Sequence, residues 1–407
     1  MRRIVIVGAG QAGLQVAESL RKGGHDGAIT LVGEERWPPY QRPPLSKKYL
    51  AGDFADERLW FRPYEHYAKL DVDLRTATRA TAIDRAARRV GLASGESLEY
   101  DGLVLTTGTR VRPLPVPGAD HPAVCYLRGL DDAQRLKARL ASARRVVVIG
   151  GGFIGLEVAA TARADGREVH VVEALDRLMA RVMPPLLSDF FAALHHERGV
   201  ALHCGVQVSG LADDGAGAAL VTLADGRQLA ADLVVAGIGV LPNQELAAAA
   251  GLACGNGIEV DEFARTSDPH IVAAGDCTWH RNRLFDVPHR LESVQNAVDQ
   301  AKVAAATLLG QPQAYADLPW FWSDQFDVKL QIAGLSTGFD DYVLRGTPSS
   351  AGFSVFYFQG TRLLAVDSIN RPADHMLARR LIAGAAPISR AQAGDPAFDL
   401  KTLLTAG

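Results

Sequence analysis

Two stretches of the chain, residues 2–34 and residues 144–173, share one order of apolar and polar positions. Each opens with a run of four apolar residues, which is typical of a buried parallel strand, and small apolar residues at helical spacing follow a turn. A second apolar run closes each stretch. The turns carry glycines at GxGxxG spacing, namely Gly8, Gly10 and Gly13 in the first and Gly150, Gly152 and Gly155 in the second. The pattern predicts two strand–helix–strand units with parallel strands.

Each unit has the chemistry of a dinucleotide site. The first glycine permits the tight turn, the second lets a pyrophosphate approach the backbone, and the third lets helix and strand pack closely. Each unit also closes on an acid, Glu34 or Glu173, where a carboxylate can bind a ribose hydroxyl. One such unit is also found as an ordinary strand–helix turn. Here the second repeats the first at a constant offset, including an Arg-Arg pair before the strand, so the sequence predicts two bound dinucleotides.

The segments around these units predict the division into domains. Residues 100–108 and 231–239 each end an apolar strand in glycine, and the proline-rich residues 112–118 have the composition of a linker. From residue 318 the pattern changes to antiparallel strands and one helix over residues 371–383. We therefore predict an α/β protein with two Rossmann-like dinucleotide-binding domains and a C-terminal α+β domain. The boundaries are residues 1–112 with 241–317 for the first nucleotide, 113–240 for the second, and 318–407 for the C-terminal domain.

Composition and charge exclude several classes of function. The 407 residues have a net charge of −3, which argues against a nucleic-acid partner. No apolar run approaches the roughly 18 residues of a membrane span, and the N-terminal run is too short for an export signal, so cytoplasmic residence is expected. The four cysteines and eleven histidines show no metal-ligand spacing, so no metal site is predicted.

Several polar residues outside the glycine units are candidates for ligand contacts. Residues 35–52 contain four prolines, which exclude a regular helix at their start, so a rigid loop can hold Arg42 and Lys47 against a ligand. The alternative is a solvated basic loop. Asp276 follows a strand-terminal glycine and is suited either to binding sugar hydroxyls or to a simple turn. Glu292 stands near the start of a predicted helix, whose partial positive charge suits a group that becomes anionic on reduction.

Three consecutive aromatic residues, Trp320, Phe321 and Trp322, open the C-terminal region. They either pack this domain onto the others or form an aromatic wall beside a cofactor ring.

The order of these motifs carries a family resemblance. Both glycine fingerprints, PPLSKKYL, LTTG, the Gly-Asp strand end and PWFWSDQ occur in one order. In this order they resemble the flavoprotein ferredoxin reductases of bacterial cytochrome P450 systems, the putidaredoxin reductase type, from residue 2 to about residue 370. The resemblance implies a glutathione-reductase-like fold with FAD at the first unit and NADH at the second. It also implies a [2Fe-2S] ferredoxin as the electron acceptor, serving a cytochrome P450 monooxygenase or a related oxygenase.

The resemblance also implies the residues of both nucleotide sites. For FAD these are Gly8, Gly10, Ala12, Gly13, Glu34, Arg42, Lys47, Thr107, Gly108, Arg128, Asp276, Glu292, Val294 and Trp322. For NADH they are Gly152, Ile154, Gly155, Glu173, Arg181 and Gly239. A carboxylate such as Glu173 accepts from the ribose 2′-hydroxyl and repels a 2′-phosphate, which favours NADH over NADPH. Arg177, four residues later, leaves the strictness of that preference open.

The cysteine pattern discriminates among flavoproteins of this fold. Enzymes that pass electrons to a flavin-side disulfide need two closely placed cysteines, and the sequence has no such pair. An external acceptor is therefore expected. The first alternative is an NADH oxidase or peroxidase, although the early redox cysteine of such peroxidases is missing and Cys125 comes first. The second is a flavin-binding redox-signalling protein, which no targeting extension or basic tail in the sequence supports.

Two hypotheses concern the flavin edge and the partner. We expect Lys47 to pair with Glu157 near the flavin and to respond to its redox state; the alternative is a routine inter-domain ion pair. A basic rim would steer an acidic ferredoxin, and its candidates are Arg281, Arg283, Arg290 and Lys329, unless these are merely solvated. The oligomeric state is open, with a monomer expected.

Overall fold

The apolar run before each glycine turn forms the central strand of a five-stranded parallel sheet in the computed structural model, which describes residues 1–404. In spatial order the first parallel sheet consists of Ile271–Ala273, Gly102–Leu105, Arg3–Val7, Ala28–Val32 and Val72–Arg75. The second consists of Val200–Cys204, Glu168–Glu173, Arg145–Ile149, Leu233–Ala236 and Val124–Cys125. Both central strands are buried, because helices pack on one face of each parallel sheet and a three-stranded antiparallel sheet packs on the other.

The third large sheet is antiparallel and comes from the C-terminal region. Its strands, in spatial order, are Trp320–Gln325, Val328–Gly334, Arg362–Ile369, Phe353–Gln359 and Asp341–Arg345. A turn at Gly360 and Thr361 joins two consecutive strands of this sheet. The smaller sheets contain Ala80–Asp84, Arg89–Leu92 and Ser97–Glu99; Val208–Asp213, Ala219–Leu223 and Gln228–Ala231; Thr109–Val111 and Val240–Pro242; and Cys254–Gly255, Gly257–Glu259, Thr278–Asn282 and Val287–His289.

The helices lie between and over these sheets. In chain order they are α1 (Gln11–Lys22), α2 (Tyr64–Lys69), α3 (Leu130–Leu140), α4 (Phe153–Ala164), α5 (Pro185–Glu197), α6 (Glu245–Ala249), α7 (Val294–Leu308), α8 (Pro372–Ala383) and α9 (Arg390–Gly394). Helix α8 confirms the helix predicted for the C-terminal region. Within residues 1–404, no helix combines the length and apolarity needed to cross a membrane.

The Arg-Arg pair before each central strand has the same structural role in both halves. The backbone N–H groups of Arg2 and Arg3 donate to one carboxylate oxygen of Asp101, at 2.9 Å each. Those of Arg144 and Arg145 donate in the same way to Asp232. The arginine side-chain bonds hold the pKa of each aspartate at about 2. The repeated Arg-Arg pattern therefore marks the point where each central strand is tied to the loop before its neighbour.

The chain passes between the two parallel sheets twice, and the two crossings lie side by side. Thr109–Val111 pairs antiparallel with Val240–Pro242. The side-chain amide of Asn243 donates to the Thr107 carbonyl at 2.9 Å, and the Thr107 hydroxyl donates to the Asn243 carbonyl at 2.6 Å. These bonds fix the point where the first and second halves meet. The domain boundaries themselves stay a prediction.

A buried acid in the C-terminal sheet makes stability depend on pH. The Asp367 carboxylate is almost fully buried and accepts a hydrogen bond of 2.7 Å from the Tyr357 hydroxyl. Burial raises the pKa of Asp367 to about 7. The folded state therefore keeps this proton to a higher pH than the unfolded chain. The stabilisation is complete below the ordinary aspartate pKa of about 4 and is lost as pH rises to about 7.

We expect Asp367→Asn to remove this loss of stability because an amide does not ionise. The melting temperature of the variant minus that of the wild type should increase by several degrees between pH 4 and pH 8, which corresponds to on the order of 4 kcal/mol in the free energy of unfolding. Thermal melts across this range measure it. Asp340→Asn, at an exposed position, is the matched control and should give a difference that does not vary in this way. A constant difference for Asp367→Asn would contradict the assignment.

Candidate nucleotide and electron-transfer site

The two glycine turns have the same geometry. Gly8 and Gly150 have φ values of +117° and +109°, and a Cβ on either would lie within 2.4 Å of a backbone oxygen of a neighbouring strand end. Only glycine avoids this strain. A Cβ on Gly13 would lie 2.0 Å from the Gly8 carbonyl oxygen, so the third glycine allows the close packing of helix on turn.

The middle glycine of each turn faces open space. A Cβ on Gly10 or Gly152 would meet no atom within 4 Å, and each glycine is the N-cap of the helix that follows. Neither α1 nor α4 has a side-chain cap or an acidic residue in its first turn. The helix-terminal N–H groups therefore stay available to an anion, and the missing Cβ leaves room for it. Both turns fit the pyrophosphate of a dinucleotide.

A cavity of about 990 Å³ begins at the first glycine turn and reaches the N-terminus of α4. Thirteen of the fourteen residues predicted for FAD line it: Gly8, Gly10, Ala12, Glu34, Arg42, Lys47, Thr107, Gly108, Arg128, Asp276, Glu292, Val294 and Trp322. Gly13 lies behind the turn instead. The structure thus brings together residues from both halves and from the C-terminal sheet, and the volume suits a large, elongated cofactor.

Charged side chains are fixed to one another along this cavity. Arg128 Nη2 lies 3.1 Å from Asp276 Oδ2, and Arg42 Nη1 donates to the Arg128 carbonyl at 2.9 Å. Arg42 is also paired with Glu35, whose other oxygen accepts from the Tyr40 hydroxyl at 2.5 Å. Glu35 and Tyr40 had not been singled out. Their only sequence signal is their place in the same proline-rich loop.

Glu292 stands at the start of α7, where Ser293 caps the helix by accepting from the Asn296 N–H. Burial raises the pKa of Glu292, and the neighbouring Arg290 opposes that rise. A carboxyl group here is therefore held in a less polar setting than a surface acid, beside the cationic end of a helix dipole.

Lys47 and Glu157 form the predicted contact. Lys47 Nζ lies 2.7 Å from Glu157 Oε2, and the carboxylate is only 4% exposed. Glu157 also accepts from the hydroxyls of Ser46 and Ser323, at 2.5 and 2.7 Å. Neither serine is among the residues predicted from the sequence, although each belongs to a motif that carries the family resemblance, PPLSK or PWFWSDQ. The buried Glu157 carboxylate is thus surrounded by one cation and two hydroxyl donors. Its response to the redox state of the flavin stays a prediction.

The second nucleotide site is built around Glu173. Its two carboxylate oxygens accept from the N–H groups of Gly151 and Leu175, at 2.7 and 2.8 Å, which orients the side chain at the end of its strand. Arg177 turns away: its guanidinium donates to the carbonyls of Met183 and Ala180, at 2.6 and 3.0 Å. The cation that left the NADPH question open is thus engaged in holding a loop.

The other residues predicted for NADH surround the same turn. A Cβ on Gly155 would lie 2.1 Å from the Gly150 carbonyl oxygen, and a Cβ on Gly239 would lie 3.5 Å from Arg181 Nη2. Ile154 is 45% exposed and lines the large cavity, whereas Gly152, Glu173, Arg181 and Gly239 lie outside it. Ile154 therefore stands between the two sites.

The three consecutive aromatic residues take both predicted roles, domain packing and lining of the cavity. Phe321 packs on Phe153 of α4, with ring centroids 4.9 Å apart, and both rings line the cavity. Trp322 also lines the cavity and stacks on Trp320 at 5.6 Å. Trp320 in turn lies under the guanidinium of Arg379. Packing and cavity lining are thus combined in one strand.

Three of the four candidate docking cations are exposed, and each has an acidic neighbour. Arg281 lies 2.8 Å from Asp286, Arg283 lies 3.5 Å from Glu262, and Lys329 lies 4.0 Å from Asp324. Arg290 differs from the prediction, because its side chain is only 11% exposed and pairs with Glu292. Arg290 lies in the short segment between the strand Val287–His289 and α7, and with its guanidinium covered and paired with an acid it is no rim cation.

The cysteines are unpaired and the described residues contain no cluster of metal ligands. All four cysteines lie in the described part of the chain and carry free thiols, and Cys125 and Cys277 are buried. Burial raises the pKa of Cys277, which makes it a poor nucleophile. Among residues 1–404, no three His, Cys, Asp or Glu side chains group as a metal site requires.

Two family models cover most of the chain. Residues 2–301 match the model described as pyridine nucleotide-disulphide oxidoreductase, and residues 320–404 match the model described as reductase C-terminal.

Individual proteins with known names match over the full length. Rhodocoxin reductase of Rhodococcus erythropolis is 50% identical over 405 residues, which cover 98% of this chain and 93% of that protein. The crystal structure of the ferredoxin reductase for the CYP199A2 system from Rhodopseudomonas palustris superposes with a TM-score of 0.96 at 47% identity, covering 99% of both chains. The covalent putidaredoxin reductase–putidaredoxin complex matches with a TM-score of 0.96 at 44% identity, covering 100% of this chain and 98% of that one.

Proposed function

The chain belongs to the pyridine nucleotide-disulphide oxidoreductase family, as a ferredoxin reductase of the putidaredoxin reductase type, and from this premise we propose its reaction. It transfers electrons from NADH through FAD, one at a time, to a [2Fe-2S] ferredoxin. The ferredoxin in turn serves a cytochrome P450 or a related oxygenase, as in the systems after which the relatives are named. We further propose that the protein acts as a monomer with the three domains predicted above.

One observation carries the proposal. The cavity that contains the residues predicted for FAD ends at the first turn of α4, where Phe153, Ile154 and Glu157 line it. The other side of that turn is the second glycine cradle. A nicotinamide held at the second site can therefore reach the cofactor in the first, next to Lys47 and Glu157.

The residues of the chain have three tasks in this reaction. Gly10 and the N-terminus of α1 hold the FAD pyrophosphate, while Arg42, Arg128 and Asp276 fix the middle of the cofactor. FAD, when bound, accepts a hydride from NADH and releases the two electrons singly to an iron–sulfur acceptor. Phe321 and Trp322 exclude water from the cavity wall.

We propose NADH as the physiological donor. Glu173 is held by two backbone N–H groups at the end of its strand, so a 2′-phosphate bound there would meet a fixed negative charge. Arg177 cannot neutralise that phosphate without giving up its bonds to two carbonyls. Both features disfavour NADPH.

Anaerobic mixing of the yellow holoprotein with NADH, and then with a [2Fe-2S] ferredoxin, tests the proposed reaction. We expect one equivalent of NADH to bleach the flavin and two equivalents of ferredoxin to restore its colour. NADPH in place of NADH should bleach it at least tenfold more slowly. If reduced protein is reoxidised only by air and not by ferredoxin, an NADH oxidase is the better assignment.

Among the exposed cations, we propose Lys329 as the docking residue for an acidic ferredoxin. Lys329 pairs across the sheet with Asp324, two residues after Trp322, so it lies on the same sheet face as this cavity-lining residue. We expect Lys329→Glu to slow ferredoxin reduction about tenfold at low salt, and less at high salt, because rim charges act on the rate of association.

Stopped-flow ferredoxin reduction at several ionic strengths measures this effect. Arg281→Glu, on the hairpin that leads to α7, is the matched charge reversal and should change the rate by less than threefold. An unchanged rate for Lys329→Glu at low salt removes Lys329 from the docking surface.

A further inference from the structure

A chain of hydrogen bonds leads from Glu157 into the protein interior and ends at a histidine far from the cavity. Ser323 Oγ donates to Glu157 Oε1 at 2.7 Å, Gln325 Nε2 donates to Ser323 Oγ at 3.3 Å, and His195 Nε2 lies 2.9 Å from Gln325 Oε1. Ser323, Gln325 and His195 have no exposed surface. Three fully buried polar side chains are costly unless they are paired, and nothing in the proposed reaction yet uses them.

The alternation of side chains along the strand directs the hydrogen-bond chain toward α4 and α5. Along Trp320–Gln325, Ser323 and Gln325 share one face with Phe321, which packs on Phe153 of α4, whereas Trp322 points to the other face. Glu157 stands on α4 and His195 on α5. The chain therefore ties the C-terminal sheet to two helices of the second nucleotide half at the point where Glu157 meets Lys47.

Two groups fix the direction of the bonds in the chain: the Glu157 carboxylate at one end, which can only accept, and the N–H of His195 at the other. Burial lowers the pKa of His195, so the ring is neutral with a single N–H. Its Nδ1 has no hydrogen-bond partner among the described residues. A buried N–H without an acceptor costs more than a bare lone pair, so the proton sits on Nε2 and donates to Gln325 Oε1.

The rest of the direction follows from that proton. With Gln325 Oε1 facing the ring, its amide N–H₂ faces Ser323 and occupies an acceptor site of that hydroxyl. The Ser323 proton is then left to donate to Glu157. If the amide were reversed, Gln325 Oε1 would face the Ser323 oxygen and compete with the Glu157 carboxylate for the single hydroxyl proton.

A strained turn closes over the histidine. Phe326 follows Gln325 in the hairpin and has a φ of +54°, which is unfavourable for a bulky side chain. Its ring meets the His195 ring edge-on at 5.1 Å, and the guanidinium of Arg198 lies over the Phe326 ring at 5.4 Å. Strain that persists at a buried polar group indicates that the arrangement is held by the surrounding contacts.

We propose that His195, Gln325 and Ser323 are positioning residues for electron entry, which fix the Glu157 carboxylate toward Lys47 through one directional hydrogen-bond chain. The proposal rests on the proposed function, because it assigns the Lys47–Glu157 pair to the NADH half of the reaction. It predicts that damage to a distant, buried histidine slows reduction by NADH without affecting the delivery of electrons to ferredoxin.

Substitutions at His195 and Ser323 in the FAD-loaded protein test the proposal. His195→Leu removes the donor, whereas His195→Gln places an amide N–H at a similar reach. In stopped-flow reduction by saturating NADH, we expect about tenfold slower bleaching for His195→Leu and at least half the wild-type rate for His195→Gln. Ser323→Ala should be slowed similarly, and the double variant His195→Leu with Ser323→Ala should be no slower than either single variant.

Two controls separate positioning from loss of structure. His196→Leu changes an exposed neighbour on the same helix and should react as the wild type does. Ferredoxin reduction by dithionite-reduced variants should stay within twofold of wild type. Wild-type rates in both His195→Leu and Ser323→Ala, a slow His195→Gln, or equal slowing of both half-reactions would overturn the proposal. Should His195→Leu not fold, Ser323→Ala decides alone.

The bleaching by NADH is recorded without ferredoxin. A wild-type protein that is bleached by NADH but never reduces ferredoxin therefore contradicts the proposed function. The effect of the His195 variants on the rate of bleaching can still be measured in that case.

Discussion

Gly10→Val is expected to yield a folded protein that purifies with less than a tenth of the wild-type flavin. Gly10 has φ and ψ of −98° and −160°, which valine adopts readily, and its Cβ position meets no atom within 4 Å. The substitution therefore leaves the turn intact. The added side chain fills the space at the start of α1 where the pyrophosphate would approach the helix N–H groups. Flavin absorbance per protein measures the effect.

Gly152→Val is the matched variant at the second turn, where the backbone angles are −84° and 179° and the space is equally open. It should keep its flavin and accept electrons from dithionite, while KM for NADH rises at least tenfold. The pair of variants assigns one nucleotide to each turn. Loss of flavin in Gly152→Val, or retention in Gly10→Val, would reverse or refute that assignment.

Lys47→Met is expected to slow reduction by NADH about a hundredfold and to lower the flavin potential. Glu157 is buried, so loss of its cationic partner leaves a carboxylate with only hydroxyl donors in a site of low polarity. A cation beside the cavity also favours the added negative charge of a reduced cofactor. Stopped-flow reduction and a redox titration measure the two effects.

Lys48→Met is the control, since Lys48 is exposed on the same loop. It should leave the rate and the potential unchanged. Glu157→Gln combined with Lys47→Met should recover part of the lost rate, because the uncompensated charge is gone. Unchanged rate and potential in Lys47→Met would reduce the pair to a structural link between domains.

Much of the fold follows from short stretches of sequence. The apolar runs predict the two central strands, and the glycines of the two turns meet steric demands that act over a few residues. The Arg-Arg pairs repeat because each ties the start of its strand to the same kind of aspartate. The family resemblance added the positions that line the cavity, which spacing alone does not connect.

Exposure and side-chain direction were less predictable. Arg290 was expected on the rim and is covered, and Arg177 was a possible phosphate ligand and instead binds carbonyls of its own loop. The residue type determines which hydrogen bonds and ion pairs a side chain can form. The packing around it decides which of those bonds it forms.

The sequence by itself determined the two nucleotide-binding units, their acids and the absence of a closely spaced cysteine pair, because these features depend on neighbouring residues. Only the tertiary structure decided the surroundings of Glu157. Ser46 and Ser323 are 111 and 166 positions away from it, and His195 reaches it through Gln325, 130 positions beyond the histidine. Contacts between such distant segments arise when the three sheets pack together, and the local pattern at either end holds no information about the other.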